Sequence, residues 1–107
     1  MKTEIISFLI KSRIKKIKRI SDNPLNSQID TLNYLIRKAK KTKFGFDHKF
    51  YKIKDYKSFR ENIPVRTYEN FYCYIEKCLS NQKDIIWPGH IKWFAKSSGT
   101  TDAKSKY

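Results

Sequence analysis

Apolar residues return every three or four positions along most of the first 80 residues, and nothing else in the sequence restricts the fold as strongly. Ile6, Ile10, Ile14 and Ile17 trace one side of a helix over residues 4–20. Leu25, Ile29, Leu32, Ile36 and Ala39 trace a second helix, and Tyr68, Phe71, Tyr72, Ile75 and Leu79 trace a later one. A period near 3.6 gives a helix one apolar stripe and does not fit the two-residue alternation of a strand. The breaks fall where they should. Asn23 can cap the second helix, and Pro24 fits its first position, where the missing N–H costs nothing. Gly45 supplies a stop shortly after Lys41. The aromatic-rich stretch "KFGFDHKFYKIK" then reads as a loop. A short helix starts at Asp55 and must end near Pro64, because a proline pushes the preceding Ile63 out of helical geometry. Thr67 can cap the helix that follows.

The pattern changes after Ser80. "DIIWPGHIKWFAK" mixes β-branched and aromatic residues around Pro88-Gly89, which predicts a turn and then a short strand through Ile91, Trp93 and Ala95. The expected fold class is therefore mainly α: about four helices, then one or two short strands. Residues 1–80 are helical, 81–96 strand and turn, and 97–107 a loop. A lone terminal strand has no sheet to join, so the sequence reads as the front end of a larger α/β domain. Apolar helix faces meant for further chain would then stand exposed.

With 107 residues and 39% hydrophobic side chains, a modest core is affordable and disorder is not the expectation. The 24 Lys+Arg against 10 Asp+Glu give a net charge of +14, which selects anionic partners: nucleic acid, anionic lipid or a phosphorylated small molecule. Charge does not choose among them. The first helix is basic on much of its surface, through Lys11, Arg13, Lys15, Lys16, Lys18 and Arg19. Such a helix either packs its isoleucine stripe on the rest of a protein, which is the expectation, or lies on an anionic membrane or nucleic acid. No stretch reaches the ~18 apolar residues of a membrane span. The N-terminal run "MKTEIISFLIKSRIKK" is interrupted by Lys11 and Arg13 and leads to no small-residue cleavage site, so a soluble chain is expected. Cys73 and Cys78 match no usual zinc or redox spacing, which leaves two reduced thiols in or beside a core and favours a cytoplasmic setting.

The loop at 97–107 carries the most chemistry. Ser97, Ser98, Gly99, Thr100 and Thr101 combine one permissive glycine with four hydroxyls. Gly99 lets the main chain approach a bulky anion, successive N–H groups can form an anion-binding concavity, and Lys104 and Lys106 add positive charge. The spacing is neither Walker A nor Gly-x-Gly-x-x-Gly, and by composition alone the same residues also make an ordinary surface turn.

"FAKSSGTTDAKSKY" resembles the ATP-binding motif of adenylate-forming enzymes. "TKFGFDH", "DYKSFRENIPVRTYENFYCYIEK" and "IIWPGHIKWFAKSSGTT", in that order, resemble the N-terminal region of the auxin-responsive acyl acid-amido synthetases in their bacterial form, from about Leu25 onward. The resemblance implies an ATP-dependent ligase. ATP and magnesium activate a small carboxylic acid as an acyl-adenylate, pyrophosphate leaves, and an amine or amino acid takes the acyl group. It places Ser97 to Thr101 on the ATP phosphates. The chain departs from the wider motif in two places: Asp102 stands where a glycine usually follows the second threonine, and Ser105 stands at the lysine position, flanked by Lys104 and Lys106. Lys106 is the preferred phosphate contact. The family's remaining site groups lie beyond this motif, so the chain is expected to be an N-terminal fragment that is inactive alone.

No catalytic residue is assigned. His48 and His90 have no nearby cysteine or carboxylate at ligand spacing and are expected to be surface or packing residues. Glu61, Glu69 and Glu76 read as exposed helix charges. The expected partners are ATP, the acid and the amine acceptor. The competing possibility is a small basic helical module for nucleic acid or an anionic membrane, but the sequence gives firm ground for neither.

Overall fold

The computed structural model describes residues 2–98 and 105–107. Its elements are α1 (Lys2–Asp22), α2 (Pro24–Ala39), α3 (Lys43–Asp47), a 3-10 turn (Phe50–Lys52), α4 (Tyr56–Asn62) and α5 (Tyr68–Leu79). The mainly helical class is as expected, and there is no β-strand among the described residues. Residues 91–98 have no regular secondary structure, so the expected strand through Ile91, Trp93 and Ala95 is absent there. An extended segment becomes a strand only when a neighbour takes its N–H and C=O groups.

Local chemistry sets most helix ends. Asp55 accepts from the Ser58 N–H at 2.8 Å while the Ser58 hydroxyl accepts from the Asp55 N–H at 3.1 Å, a reciprocal capping box. Thr67 accepts from the Asn70 N–H at 3.3 Å and opens α5. The other end of α5 closes with Asn81 in the left-handed region, where the N–H groups of Asn81 and Gln82 return to the carbonyls of Cys78 and Lys77. Pro24 takes the first position of α2 as expected. Asn23, however, makes no side-chain cap; only its carbonyl serves, accepting from Ser27 N–H at 3.1 Å.

Gly45 corrects the sequence expectation more sharply. It ends no helix but sits inside α3, and a Cβ there would run into the Ala39 carbonyl oxygen. Glycine is required because two backbones meet. That contact folds "KFGFDHKFYKIK" into helical turns where a loop was expected. The first amides of α3 are all satisfied from elsewhere. Lys43 N–H donates to Asp84 C=O at 2.8 Å, Phe44 N–H to Ile85 C=O at 2.9 Å and Gly45 N–H to Thr42 Oγ1 at 3.0 Å. Thr42 is buried, and its hydroxyl donates to Ala39 C=O at 2.7 Å. The 80–91 segment is thereby locked onto α3. It turns at Pro88-Gly89 as expected, with Gly89 N–H donating to Asp84 Oδ1 at 2.7 Å and Asp84 N–H to Gly89 C=O at 2.9 Å.

The core is small and aromatic. Tyr74, Cys78 and Ile85 are buried, with Phe44, Phe71, Ile86 and Ile91 packed on them. The Phe44 ring is the hub, 5.1 Å from Tyr74, 5.6 Å from Phe71, 5.7 Å from Phe50 and stacked 4.0 Å from His48. The buried face of α5 therefore runs through Phe71, Tyr74 and Cys78, whereas Tyr72 and Leu79 of the expected face are exposed.

Burial on α2 rises along its stripe: Leu25 and Ile29 are exposed, Leu32 and Ile36 half-buried, and Ala39 buried. α1 lies beyond the exposed end. Its isoleucines, expected to pack, are 47–65% exposed. The radius of gyration of 18.2 Å records this outlying helix, since a compact chain of this length would have about 13 Å.

Candidate phosphate-binding loop

Ser97 and Lys106 belong to the two described ends of the loop expected to meet phosphate. The two residues are paired at its neck, where Ser97 N–H donates to Lys106 C=O at 2.7 Å and Lys106 N–H donates to Ser97 Oγ at 2.9 Å. Ser97 thus has its backbone N–H committed to closing the loop and keeps its hydroxyl proton for another acceptor. Ser98 is exposed just inside the neck. Gly99, Thr100 and Thr101 lie outside the described residues, as do Asp102 and Lys104.

The first turn of α5 holds the last two residues, Lys106 and Tyr107. Tyr107 N–H donates to the Tyr68 hydroxyl at 3.1 Å. The Lys106 ammonium lies 4.8 Å from the centre of the Tyr68 ring and 3.1 Å from Glu69 Oε1. Glu69 is an exposed helix charge, as expected, but it is also a partner. Its own backbone N–H, then Lys106 and the Thr67 side chain, hold its carboxyl below the ordinary range. On the outgoing side, Lys96 lies 5.3 Å from the centre of the Tyr107 ring, and Phe94 meets that ring edge-on at 6.5 Å. The neck is thus lined by three aromatic rings, Tyr68, Phe94 and Tyr107, and two lysines.

This arrangement suits an anion. Lys106 is half-exposed and its ion pair faces water, where such pairs contribute little, so a polyphosphate could draw the ammonium from Glu69 at small cost. Sequence reasoning overlooked Tyr68 and Glu69 as anchors of the loop. They lie 39 and 37 positions before the residues they hold, Tyr107 and Lys106, and only the fold brings them together.

The other chemistry-bearing groups have structural places. Arg66 reaches His48 Nε2 at 2.7 Å, and His48 Nδ1 lies 2.8 Å from the Phe44 carbonyl. A guanidinium can only donate, so Nε2 accepts and the Nδ1–H points to the carbonyl. Of the two places expected for it, surface or packing, His48 takes the second and is buried. Tyr74 donates to Asp47 Oδ2 at 2.7 Å, and Lys43 pairs with the same oxygen at 2.9 Å. The Tyr74 hydroxyl, followed by Lys43, keeps the Asp47 carboxyl below its usual range. His90 is exposed, with Nδ1 2.9 Å from the Asn81 carbonyl. Cys73 and Cys78 are free thiols, the first exposed and the second buried, and burial raises the Cys78 thiol pKa. No group of three His, Cys, Asp or Glu among the described residues is placed to hold a metal ion.

Residues 13–107 match the family model described as the GH3 family N-terminal domain. The match takes in the second half of α1, which the motifs from Leu25 onward had left out, and runs through the loop. No curated protein and no solved structure is significantly similar to the chain. By the extent of that match, the chain belongs to the GH3 family of auxin-responsive acyl acid-amido synthetases, as its N-terminal domain.

Proposed function

We propose that this chain supplies the phosphate-binding part of an ATP-dependent ligase that joins a small carboxylic acid to an amine or amino acid. In the first step a carboxylate oxygen attacks the α-phosphorus of ATP, and pyrophosphate leaves with the broken bond's electron pair. In the second the amine nitrogen attacks the acyl carbon and AMP leaves. Both leaving groups are anions, and a loop of hydroxyls, N–H groups and lysines stabilises the charge that develops on the first. Ser97, Ser98, Gly99, Thr100, Thr101 and Lys106 are the residues assigned to it. Magnesium would enter with the triphosphate. The setting is the cytoplasm, and residues 1–107 alone are inactive until further chain supplies the acid and adenine sites.

The observation that carries this reading is the family match over residues 13–107, from the second half of α1 to the end of the loop. The pairing of Ser97 with Lys106 supports it by fixing the two described ends of the loop against each other. The test has two readouts. Inorganic triphosphate should bind the 107-residue chain weakly, and Lys106→Met with Ser98→Ala should weaken that binding about tenfold. Exchange of labelled pyrophosphate into ATP should be absent with the chain alone for any acid. Triphosphate binding indifferent to both substitutions would remove the loop from the reading. Exchange by the chain alone would refute its dependence on further residues.

A further inference from the structure

The exposed face of α1 is the largest feature that the ligase reading leaves unused. Ile6, Ile10, Ile14, Ile17 and Ile20 lie along one side of the helix, all 47–65% exposed. Lys11, Lys15, Lys16, Lys18 and Arg19 stand around them, and Arg13, three residues after Ile10 and four before Ile17, lies within the stripe; all six are exposed, and no carboxylate occurs from Ile5 to Ser21. Ahead of this basic stretch the helix is apolar on more than one side, with Ile5 60% and Phe8 73% exposed. That tip precedes residue 13, where the family match begins. At 1.5 Å per residue the helix is about 31 Å long. No helix among the described residues is long and apolar enough to cross a membrane.

We propose that α1 is an interfacial helix that docks this chain on the surface of an anionic phospholipid bilayer. The combination of charge and apolarity favours this occupant over a nucleic acid or a second copy of the chain. A nucleic acid would neutralise the cations but leave five isoleucines in water. A second copy would cover the isoleucines but set six cations against six, with no carboxylate between Ile5 and Ser21 to relieve them. An anionic lipid surface satisfies both: acyl chains take the isoleucine stripe and the apolar tip, while headgroup phosphates take the lysines and arginines. The stripe and the basic flank lie parallel to the helix axis, as a helix lying in the interface requires. α1 also meets the rest of the chain through α2, whose adjoining residues Leu25 and Ile29 are exposed too, so the arm can lie flat without disturbing the aromatic core.

The test is co-sedimentation of the whole protein with vesicles of phosphatidylcholine alone and of phosphatidylcholine mixed with phosphatidylglycerol, with light scattering of the protein alone. Partition into the anionic vesicles should exceed that into neutral ones at least about tenfold and collapse in high salt. Ile6→Asn with Ile10→Asn should reduce it about tenfold or more, from lost apolar burial. Lys15→Gln with Lys18→Gln should reduce it about fivefold per charge, and the equal charge change Lys52→Gln with Lys57→Gln should not. Absence of partition overturns the proposal. So does partition that ignores the isoleucine pair, which would be charge attraction without insertion. A doubled mass in light scattering, reversed by the isoleucine pair, would assign the face to a second copy instead.

Discussion

α1 and α3 differ in length fourfold, yet the five-residue helix is the better fixed of the two. α3 has its first amides taken by Asp84, Ile85 and Thr42, its glycine pressed against the Ala39 carbonyl, and the Phe44 ring ringed by four other rings. α1 has 21 residues of helical pattern and an isoleucine face open to water. A helix is held by what its faces touch more than by its own propensity. The shorter element is therefore the place to break the fold, and the longer one the place to change with little consequence for stability.

The largest effect should come from Gly45→Ala. The added methyl meets the Ala39–Lys40 backbone, and overpacking against groups that cannot rotate away should cost about 3 kcal/mol or more, read by denaturant unfolding. Gly89→Ala separates space from conformation. Nothing lies near the Cβ it would add, but its φ of 81° is left-handed, so a loss of about 1–2 kcal/mol is expected. A Gly45→Ala chain as stable as the native one would dissolve the contrast between α3 and α1.

Thr42→Val keeps the shape and removes the hydroxyl that joins Ala39 to Gly45. With the Gly45 amide left unpaired and buried, the expected cost is about 2 kcal/mol. Tyr74→Phe removes one hydrogen bond from the other side of α3, for about 1 kcal/mol at neutral pH. Its pH dependence sharpens the test. The folded Asp47 pKa is depressed, so its contribution is present above the ordinary carboxylate value near 4 and is lost as pH falls through the lower folded value. The Tyr74 hydroxyl is the largest cause of that depression. The stability difference between Tyr74→Phe and the native chain should therefore shrink as the solution is acidified below about pH 4. A difference constant with pH would mean that Tyr74 acts by packing alone.

The two thiols give a comparison within α5. Cys73 should react with a thiol reagent at once and Cys78 only as the core opens, because burial both shields it and raises its pKa. Equal rates would mean the α5 face is open. The smallest effect is expected on α1, where Ile14→Ser should change stability by no more than about 0.5 kcal/mol.

The helices at 4–20, 24–39, 55–62 and 67–79 were legible because their information is local: a 3.6-residue stripe, Pro24 at a first turn, Asp55 and Thr67 as caps. Family membership was legible for the same reason, carried by short motifs in a fixed order. What misled was a residue type with two uses. Gly45 ends a helix in one context and lets two backbones meet in another, and its neighbours in sequence do not say which. Residues 91–95 have the composition of a strand, but a strand is a relation between two segments. Tyr74 was missed from the core face of α5 because a tyrosine can be buried only if something meets its hydroxyl, and that partner, Asp47, lies 27 positions away.

The sequence by itself determined where the longer helices of this chain lie and how basic it is, since each depends on neighbours within a few positions. Only the tertiary structure decided that "KFGFDH" is the hub, that Tyr68 and Glu69 anchor the loop at Ser97 and Lys106, and that the isoleucines of α1 face water. Those depend on which distant groups meet, and burial and hydrogen bonding between them are settled only when the chain is packed.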